Sequence, residues 1–176
     1  GFAFFVSVAN DNLFVVYGAW LEGTFSLSII GLGLGTGAIG AAELLGESMT
    51  AVLADRFGLK RSVILGFSLC LFCYGVLPMF GRSLSIALTG LFAVFLTFEF
   101  TIVSFLSLCT ELLPLSRATM MSSYFAAAGL GRIAGALLGG PVWMAGGIVA
   151  TSAVSVAVST LALVSFLWGL KGWARQ

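Results

Sequence analysis

Long apolar runs separated by short polar breaks dominate the chain. Each run contains few charged side chains, and each break is rich in charged residues, glycine or proline. The runs cover residues 2–21, 27–54, 62–80, 84–109, 118–144 and 149–170. A helix needs about 20 apolar residues to cross a bilayer, so the pattern predicts six transmembrane helices.

The overall composition agrees with a membrane protein. Hydrophobic residues make up 60% of the 176 residues, charged residues make up 9%, and the mean hydropathy is +1.13. A soluble domain is typically about 25% charged, and a soluble chain of this length could not bury so much apolar surface. We therefore predict an all-α membrane protein in which residues 1–176 form one six-helix domain surrounded by lipid.

Lysine and arginine are distributed unequally between the two predicted membrane sides. If the spans alternate, Arg82 falls on one side and Arg132 falls inside a span. The other side carries Arg56, Lys60, Arg61, Arg117, Lys171 and Arg175. Positive loops stay in the cytoplasm, so both ends of the chain are predicted to be cytoplasmic, in the plasma membrane.

Several classes of function are disfavoured by what the sequence offers. The net charge of +1 provides no basic surface for nucleic acid, and the absence of histidine removes the commonest metal ligand and general base. Cys70 and Cys73 have the spacing of a redox or zinc pair, but they lie inside an apolar run and are interpreted as ordinary membrane-helix cysteines. We predict no enzyme activity, no metal and no cofactor.

Ionisable residues inside the predicted spans need a specific reason. Each costs at least about 2.5–3.5 kcal/mol at the middle of a helix. They are either buried ion-pair partners or part of a polar pathway that carries protons or a cationic substrate. We favour the pathway for Asp11 and Glu99, while both interpretations stay open for Glu43 and Arg132. Glu47 lies nearer the cytoplasmic end, and a structural role is favoured there.

Glycines at intervals of four residues predict close contacts between helices. Gly31 and Gly35 lie on one face of the second span, and Gly131, Gly135 and Gly139 form a longer stripe in the fifth. Such stripes let another helix approach closely. The alternative interpretation is that these smooth faces slide or rock during function.

The stretch 51–61 resembles the signature loop of the major facilitator superfamily, G-x-x-x-D-R-x-G-R-R. Five positions match in kind: Asp55, Arg56, Gly58, Lys60 and Arg61. Two positions depart, because Ala51 replaces the first glycine and Leu59 replaces the first basic residue after the second glycine.

A second stretch, 111–117, looks like the E-x-x-P-x-x-R loop that follows the fourth helix of a six-helix repeat in the same family. The resemblance implies a charge-paired cytoplasmic gate. Glu111 would face Arg56 or Arg61, and Asp55 would face Arg117. The alternative is a set of ordinary cytoplasmic charges with incidental partners.

The resemblance covers the whole chain as one six-helix repeat, so it implies half of a twelve-helix transporter. The altered signature loop and the absence of arginine from residues 84–98 favour the second half. In that case spans one, two, four and five face a central cavity, and spans three and six face lipid.

The function implied is secondary transport of small organic solutes by alternating access, most like a proton-coupled efflux antiporter. Its partners would be the missing six-helix half, an unknown small-molecule substrate and protons. The alternative is a complete six-helix membrane protein that acts as a dimer, or as a membrane sensor or interaction protein that does not transport.

Overall fold

A computed structural model describes residues 1–171 of the chain. Residues 172–176, which include Arg175, and the side chain of Asp55 lie outside the described part. The helices are α1 (Phe2–Phe14), α2 (Tyr17–Phe25), α3 (Ile29–Phe57), α4 (Leu59–Val76), α5 (Leu84–Leu112) and α6 (Arg117–Gly169). Short 3₁₀ turns at Leu77–Phe80 and Pro114–Ser116 join α4 to α5 and α5 to α6.

The prediction of an all-helical fold is confirmed for the described residues, which contain no strand. Five segments are long and apolar enough to cross a bilayer. They are Phe2–Phe25, Ile29–Ala54, Leu59–Phe80, Leu84–Leu112 and Pro114–Gly169. The first of these includes both α1 and α2, because the backbone deviates from regular helix only at residues 15–16. The fifth and sixth predicted spans fall together within the last segment.

Local sequence explains where the helices begin and turn. Ser28 and Ser83 precede α3 and α5, and each side-chain hydroxyl accepts a hydrogen bond from the backbone N–H three residues later. This bond satisfies a donor that has no partner within the helix. Between α3 and α4 the chain turns at Gly58, whose φ of 80° suits a residue without a side chain.

Helix α6 has 53 residues, and a straight helix of that length would extend for about 80 Å, against about 30 Å for a bilayer core. It is not straight, because Gly146 and Gly147 have non-helical backbone angles. The φ of 57° at Gly147 is one that residues with a side chain rarely adopt. We call residues 117–145 the first arm and residues 148–169 the second arm.

The two arms run in opposite directions along α1. In the first arm Gly131 faces the backbone of Phe4 and Gly135 faces that of Val8, so residue numbers rise together and the helices are parallel. In the second arm Ser155 bonds to Asn12 and the ring of Phe166 lies 5.2 Å from that of Phe2, so the second arm is antiparallel to α1. The chain therefore reverses direction at the glycine pair.

The helices form two pairs, and α4 joins one pair to the other. Helix α1 packs between the arms of α6, α3 packs against α5, and α4 contacts both α5 and α6. Helix α4 supplies Phe67, Cys70 and Tyr74 to the core, and each of them is almost completely buried. At Gly66, α5 comes so close that an added Cβ would lie 2.6 Å from the ring of Phe100.

The predicted packing glycines have different surroundings. A Cβ on Gly135 would lie 2.7 Å from the carbonyl oxygen of Val8, and Gly131 and Gly139 also face the backbone of α1. On α3, Gly35 faces leucine side chains of α2 and α5. Gly31 faces only the preceding turn of its own chain. Of the two predicted glycine stripes, it is therefore the one in the first arm at which two helix backbones meet.

Most described basic side chains outside the spans lie at one end of the bundle, which we call the basic end. It contains the last residues of α3, α5 and the second arm, and the first residues of α4 and the first arm. A hydrogen bond of 3.3 Å from Lys60 Nζ to the carbonyl oxygen of Leu170 joins two of these segments. The basic end holds Arg56, Lys60, Arg61, Arg117 and Lys171, and Arg82 lies at the opposite end.

Candidate functional site: a charged cavity between two helix pairs

A central cavity of about 640 Å³ lies between the α1–α6 pair and the α3–α5 pair. Helices α1, α2, α3, α5 and the first arm supply its lining. The polar lining consists of Ser7, Asn10, Asp11, Tyr17, Thr36, Glu43, Glu47, Glu99, Tyr124 and Arg132. Helix α4 and the second arm, which correspond to the predicted third and sixth spans, contribute no lining residue.

The structure brings together the four ionisable residues that are candidates for a polar pathway. Asp11, Glu43, Glu99 and Arg132 come from four different helices, and all four line the central cavity. Glu47 lines it as well, although a purely structural role was favoured for it. The cavity therefore collects four carboxylates and one guanidinium.

Asp11 and Arg132 form an ion pair between α1 and the first arm. Arg132 Nε lies 3.4 Å from Asp11 Oδ1. The side chain of Asp11 is 11% exposed and that of Arg132 is 68% exposed, so one partner is enclosed and the other borders open space. The pair depends on the neighbouring glycine contact, because a Cβ on Gly135 would lie only 3.0 Å from the Asp11 Cβ.

The remaining carboxylates face each other across the α3–α5 contact. Gly46 allows this approach, since a Cβ there would lie 2.6 Å from the Leu96 carbonyl oxygen and 3.0 Å from the Glu99 Cβ. Glu43 and Glu47 lie on either side of this contact along α3. Within residues 1–171, Asp11 is the only acidic residue of the central cavity with a cation inside ion-pair distance.

Hydrogen bonds fix the helices that carry these charges. Asn12 is fully buried beside Asp11, and its amide nitrogen donates to the Thr151 carbonyl oxygen and to Ser155 Oγ, both at 3.0 Å. Ser155 Oγ in turn donates to the Ala9 carbonyl oxygen at 2.8 Å. Asn12 thus ties α1 to the second arm and does not line the cavity.

Sequence reasoning gave no individual role to some polar residues around the cavity. Asn10 lines it, and its Oδ1 accepts a long hydrogen bond of 3.5 Å from the hydroxyl of Tyr74. Tyr17 and Thr36 form a 3.1 Å hydrogen bond that links α2 to α3. The run of three polar residues at 10–12 indicates that polar neighbours flank the aspartate, whereas nothing in the sequence pairs Tyr17 with Thr36.

A second cavity of about 590 Å³ extends along the α3–α5 contact. Its lining consists of Glu47, Thr50, Ala51, Ala54, Leu59, Val103, Ser107, Thr110 and Glu111. Leu59 and Glu111 place one end of this cavity at the basic end. Glu47 is the one residue that lines both cavities.

The residues predicted for a cytoplasmic gate are all at the basic end. Arg56 and Arg61 flank Gly58 and are exposed, and Arg117 begins α6. Glu111 faces the second cavity. The predicted pairings of Asp55 and Glu111 with these arginines stay predictions, and the side chain of Asp55 lies outside the described part.

The described residues contain no cluster of three or more His, Cys, Asp or Glu side chains that could hold a metal ion. Cys70, Cys73 and Cys109 are free thiols. Cys70 Sγ lies 3.9 Å from the carbonyl oxygen of Val94, in the contact between α4 and α5.

No protein family, no curated protein and no solved structure matches the chain. The two cavities offer carboxylate and guanidinium groups inside an apolar bundle.

Proposed function

We propose that the chain is the second six-helix half of a major facilitator transporter, and that it moves small organic solutes by alternating access with proton-coupled efflux. The observation that carries this proposal is the central cavity, where ionisable residues from four helices meet inside an apolar bundle. In membrane proteins such residues mark ion and substrate pathways.

The proposal requires another protein surface over the open side of the cavity. Arg132 is 68% exposed on its side chain, although it lies in the middle of an apolar arm. Exposure of a guanidinium to lipid at this depth is costly. The missing half would cover it, and the exposed apolar side chains of α3 and the first arm would then meet protein or lipid.

Six membrane crossings are part of the proposal. The reversal of α6 at Gly146 and Gly147 supports this count, because each arm alone is long enough to cross a bilayer. Both chain ends would then lie on the side of the basic end. The excess of lysine and arginine at that end favours the cytoplasm.

In the proposed mechanism, Glu99 and Asp11 exchange protons while the solute occupies the cavity. A carboxyl group in an apolar cavity can hold a proton and release it when water enters. Arg132 would stabilise Asp11 while that carboxylate is ionised. The charges at the basic end would form and break exposed pairs, each of about 0–1 kcal/mol, as the two halves rock.

The first test is the mass of the native gene product, detected with an antibody against residues at the end of this chain. A band near twice the chain's 18.3 kDa is expected for a two-half transporter. A band at 18.3 kDa would contradict it. That result would favour the alternative, a complete six-helix protein whose second copy covers the exposed Arg132 face.

The second test is transport by the native gene product in proteoliposomes under a pH gradient. Glu99→Gln should abolish proton-driven flux, because the amide cannot exchange a proton. The matched control is Glu22→Gln, which changes an exposed glutamate of α2 that lines neither cavity. Equal flux from both variants would contradict the proposed role of the cavity.

A further inference from the structure

The two cavities meet at a single side chain. Glu47 lines both the central cavity and the second cavity, and no other residue is shared. From Glu47 the second cavity continues between α3 and α5 to Leu59 and Glu111, at the basic end. A polar route therefore leads away from the centre of the bundle inside one helix pair.

The hydroxyl groups along the second cavity are arranged as acceptors. The single proton of Thr50 Oγ1 is shared between the carbonyl oxygens of Gly46 and Phe100, at 3.2 and 3.3 Å. Ser107 and Thr110 donate to carbonyl oxygens of their own helix at 3.0 and 2.7 Å. A hydroxyl has one proton to donate, so the remaining lone pairs can accept from water or hydronium.

The charges around Glu47 also favour positive species. The groups that face it are Glu43 on its own helix, Glu99 and Glu111 on α5, and Asp11 and Arg132 across the central cavity. Arg132 is the only described cation that lines either cavity, and Asp11 already pairs with it. Carboxylates therefore outnumber cations in the lining of the two cavities, and such an excess of negative charge concentrates ions of the opposite sign.

The route does not require the two helix pairs to separate. Helices α3 and α5 are in backbone contact at Gly46, and Thr50 bridges them with its bond to Phe100. Contacts of this kind keep the pair together while other surfaces move. The path would remain in place when the central cavity opens or closes.

We propose that the second cavity, which extends along the α3–α5 contact, is a water-filled, cation-selective route. It carries protons between the central cavity and the basic end, with Glu47 as its relay. The proposal rests on the proposed transport function, which supplies the protons. A proton leaves the Glu99 carboxyl group through water, and the Glu47 carboxylate accepts it. Glu47 then releases it as hydronium into the second cavity, and each step leaves one carboxylate behind.

The test is cysteine accessibility in membranes containing the native protein, with Cys70, Cys73 and Cys109 replaced by alanine. Ala51→Cys places a thiol in the second cavity, and Val52→Cys is the matched control, because Val52 is 57% exposed and lines neither cavity. The probes are two membrane-impermeant methanethiosulfonates, one with a quaternary ammonium group and one with a sulfonate. Rates are normalised to those of a free thiol in solution.

The thiol at position 51 should react about tenfold or more faster than the thiol at 52, and about tenfold faster with the cationic probe than with the anionic one. Glu47→Gln should reduce this cation preference severalfold. Ser107→Cys tests the opposite wall if Ala51→Cys does not accumulate. Equal rates at 51 and 52, or equal rates with both probes, would overturn the proposal.

Transport separates this proposal from the proposed function. In the transporting protein, Glu47→Gln should slow proton-driven flux about tenfold more than it slows solute exchange without net proton movement, as expected for loss of a proton-transfer group. Selective accessibility without any transport would refute only the proposed function. Unchanged proton-driven flux in Glu47→Gln would refute only the route.

Discussion

The two walls of the central cavity are built differently. Helix α1 is enclosed by both arms of α6. In the α1–α2 segment, 61% of the most apolar stretch of 18 residues is buried. In α3 the corresponding figure is 22%, and most of its large apolar side chains face outward. The α1–α6 wall is held together from within, whereas α3 depends on its contact with α5 and on whatever surrounds the bundle.

The difference shows that glycine has two roles in this bundle. In the first arm, glycines remove side chains where two backbones meet. On α3 only Gly46 does so, and Gly33, Gly37 and Gly40 have no neighbour within 4 Å of an added Cβ. The same spacing thus marks a firm contact on one helix and an open face on the other.

The strongest test of the comparison is Gly135→Val. An added Cβ would lie 2.7 Å from the Val8 carbonyl oxygen, so α1 and the first arm must separate. We expect the free energy of unfolding to fall by about 3 kcal/mol or more. Denaturation of the purified chain in detergent measures it. Gly129→Val is the control, because nothing lies within 4 Å there, and equal losses would refute the account.

A smaller loss is expected for the corresponding contact in the other wall. Gly46→Val would place a Cβ 2.6 Å from the Leu96 carbonyl oxygen, but α3 has few other contacts and can tilt away. The expected loss is about 1–3 kcal/mol, measured by the same denaturation. Gly37→Val, in open space, should cost much less. A larger loss for Gly46→Val than for Gly135→Val would reverse the ranking of the walls.

The hydrogen bonds of Asn12 should contribute less than the glycine contacts. Asn12→Ala removes the donors to the Thr151 carbonyl oxygen and Ser155 Oγ. Bonds between membrane helices are worth about 0.6 kcal/mol on average, so we expect a loss of about 1 kcal/mol. Asn10→Ala removes the 3.5 Å contact with Tyr74 and should cost less. The idea fails if the Asn10 variant is the less stable of the two.

The smallest expected effect is the coupling between Asp11 and Arg132. Since the Arg132 side chain is 68% exposed, solvent in a micelle screens the pair, and we expect a coupling of about 0.5–1 kcal/mol. A double-mutant cycle with Asp11→Asn and Arg132→Gln measures it. If Asp11 and Arg132 show no coupling and Arg132 is coupled to Glu43 instead, the guanidinium belongs to the α3–α5 wall.

Much of this arrangement could be predicted from the sequence because charge is conspicuous in an apolar chain. Asp11, Glu99 and Arg132 stood out by their cost at mid-helix, and they meet in one cavity. Glu47 was assigned differently because distance from a predicted loop says little about which cavity a side chain lines. The depth at which α3 meets α5 is set by Gly46, and its spacing alone does not distinguish it from the open glycines.

Other features depend on contacts between distant residues. The bond from Asn12 to Ser155 spans 143 positions, and no local pattern identifies that partner. The local sequence pattern also does not predict the backbone geometry of the reversal within α6. Two adjacent glycines permit several backbone geometries, and the packing of both arms on α1 selects the one observed.

The position of α1 between the two arms has a consequence for biosynthesis. Helix α1 is made well before α6, on which it mainly packs, and 121 positions separate Asp11 from Arg132. At about 5–20 residues per second, the ribosome needs roughly 10 s to supply that partner. During this interval the nascent α1 carries an unpaired aspartate in the bilayer. Shelter of α1 by the insertion machinery until the first arm emerges would avoid the cost of that unpaired charge.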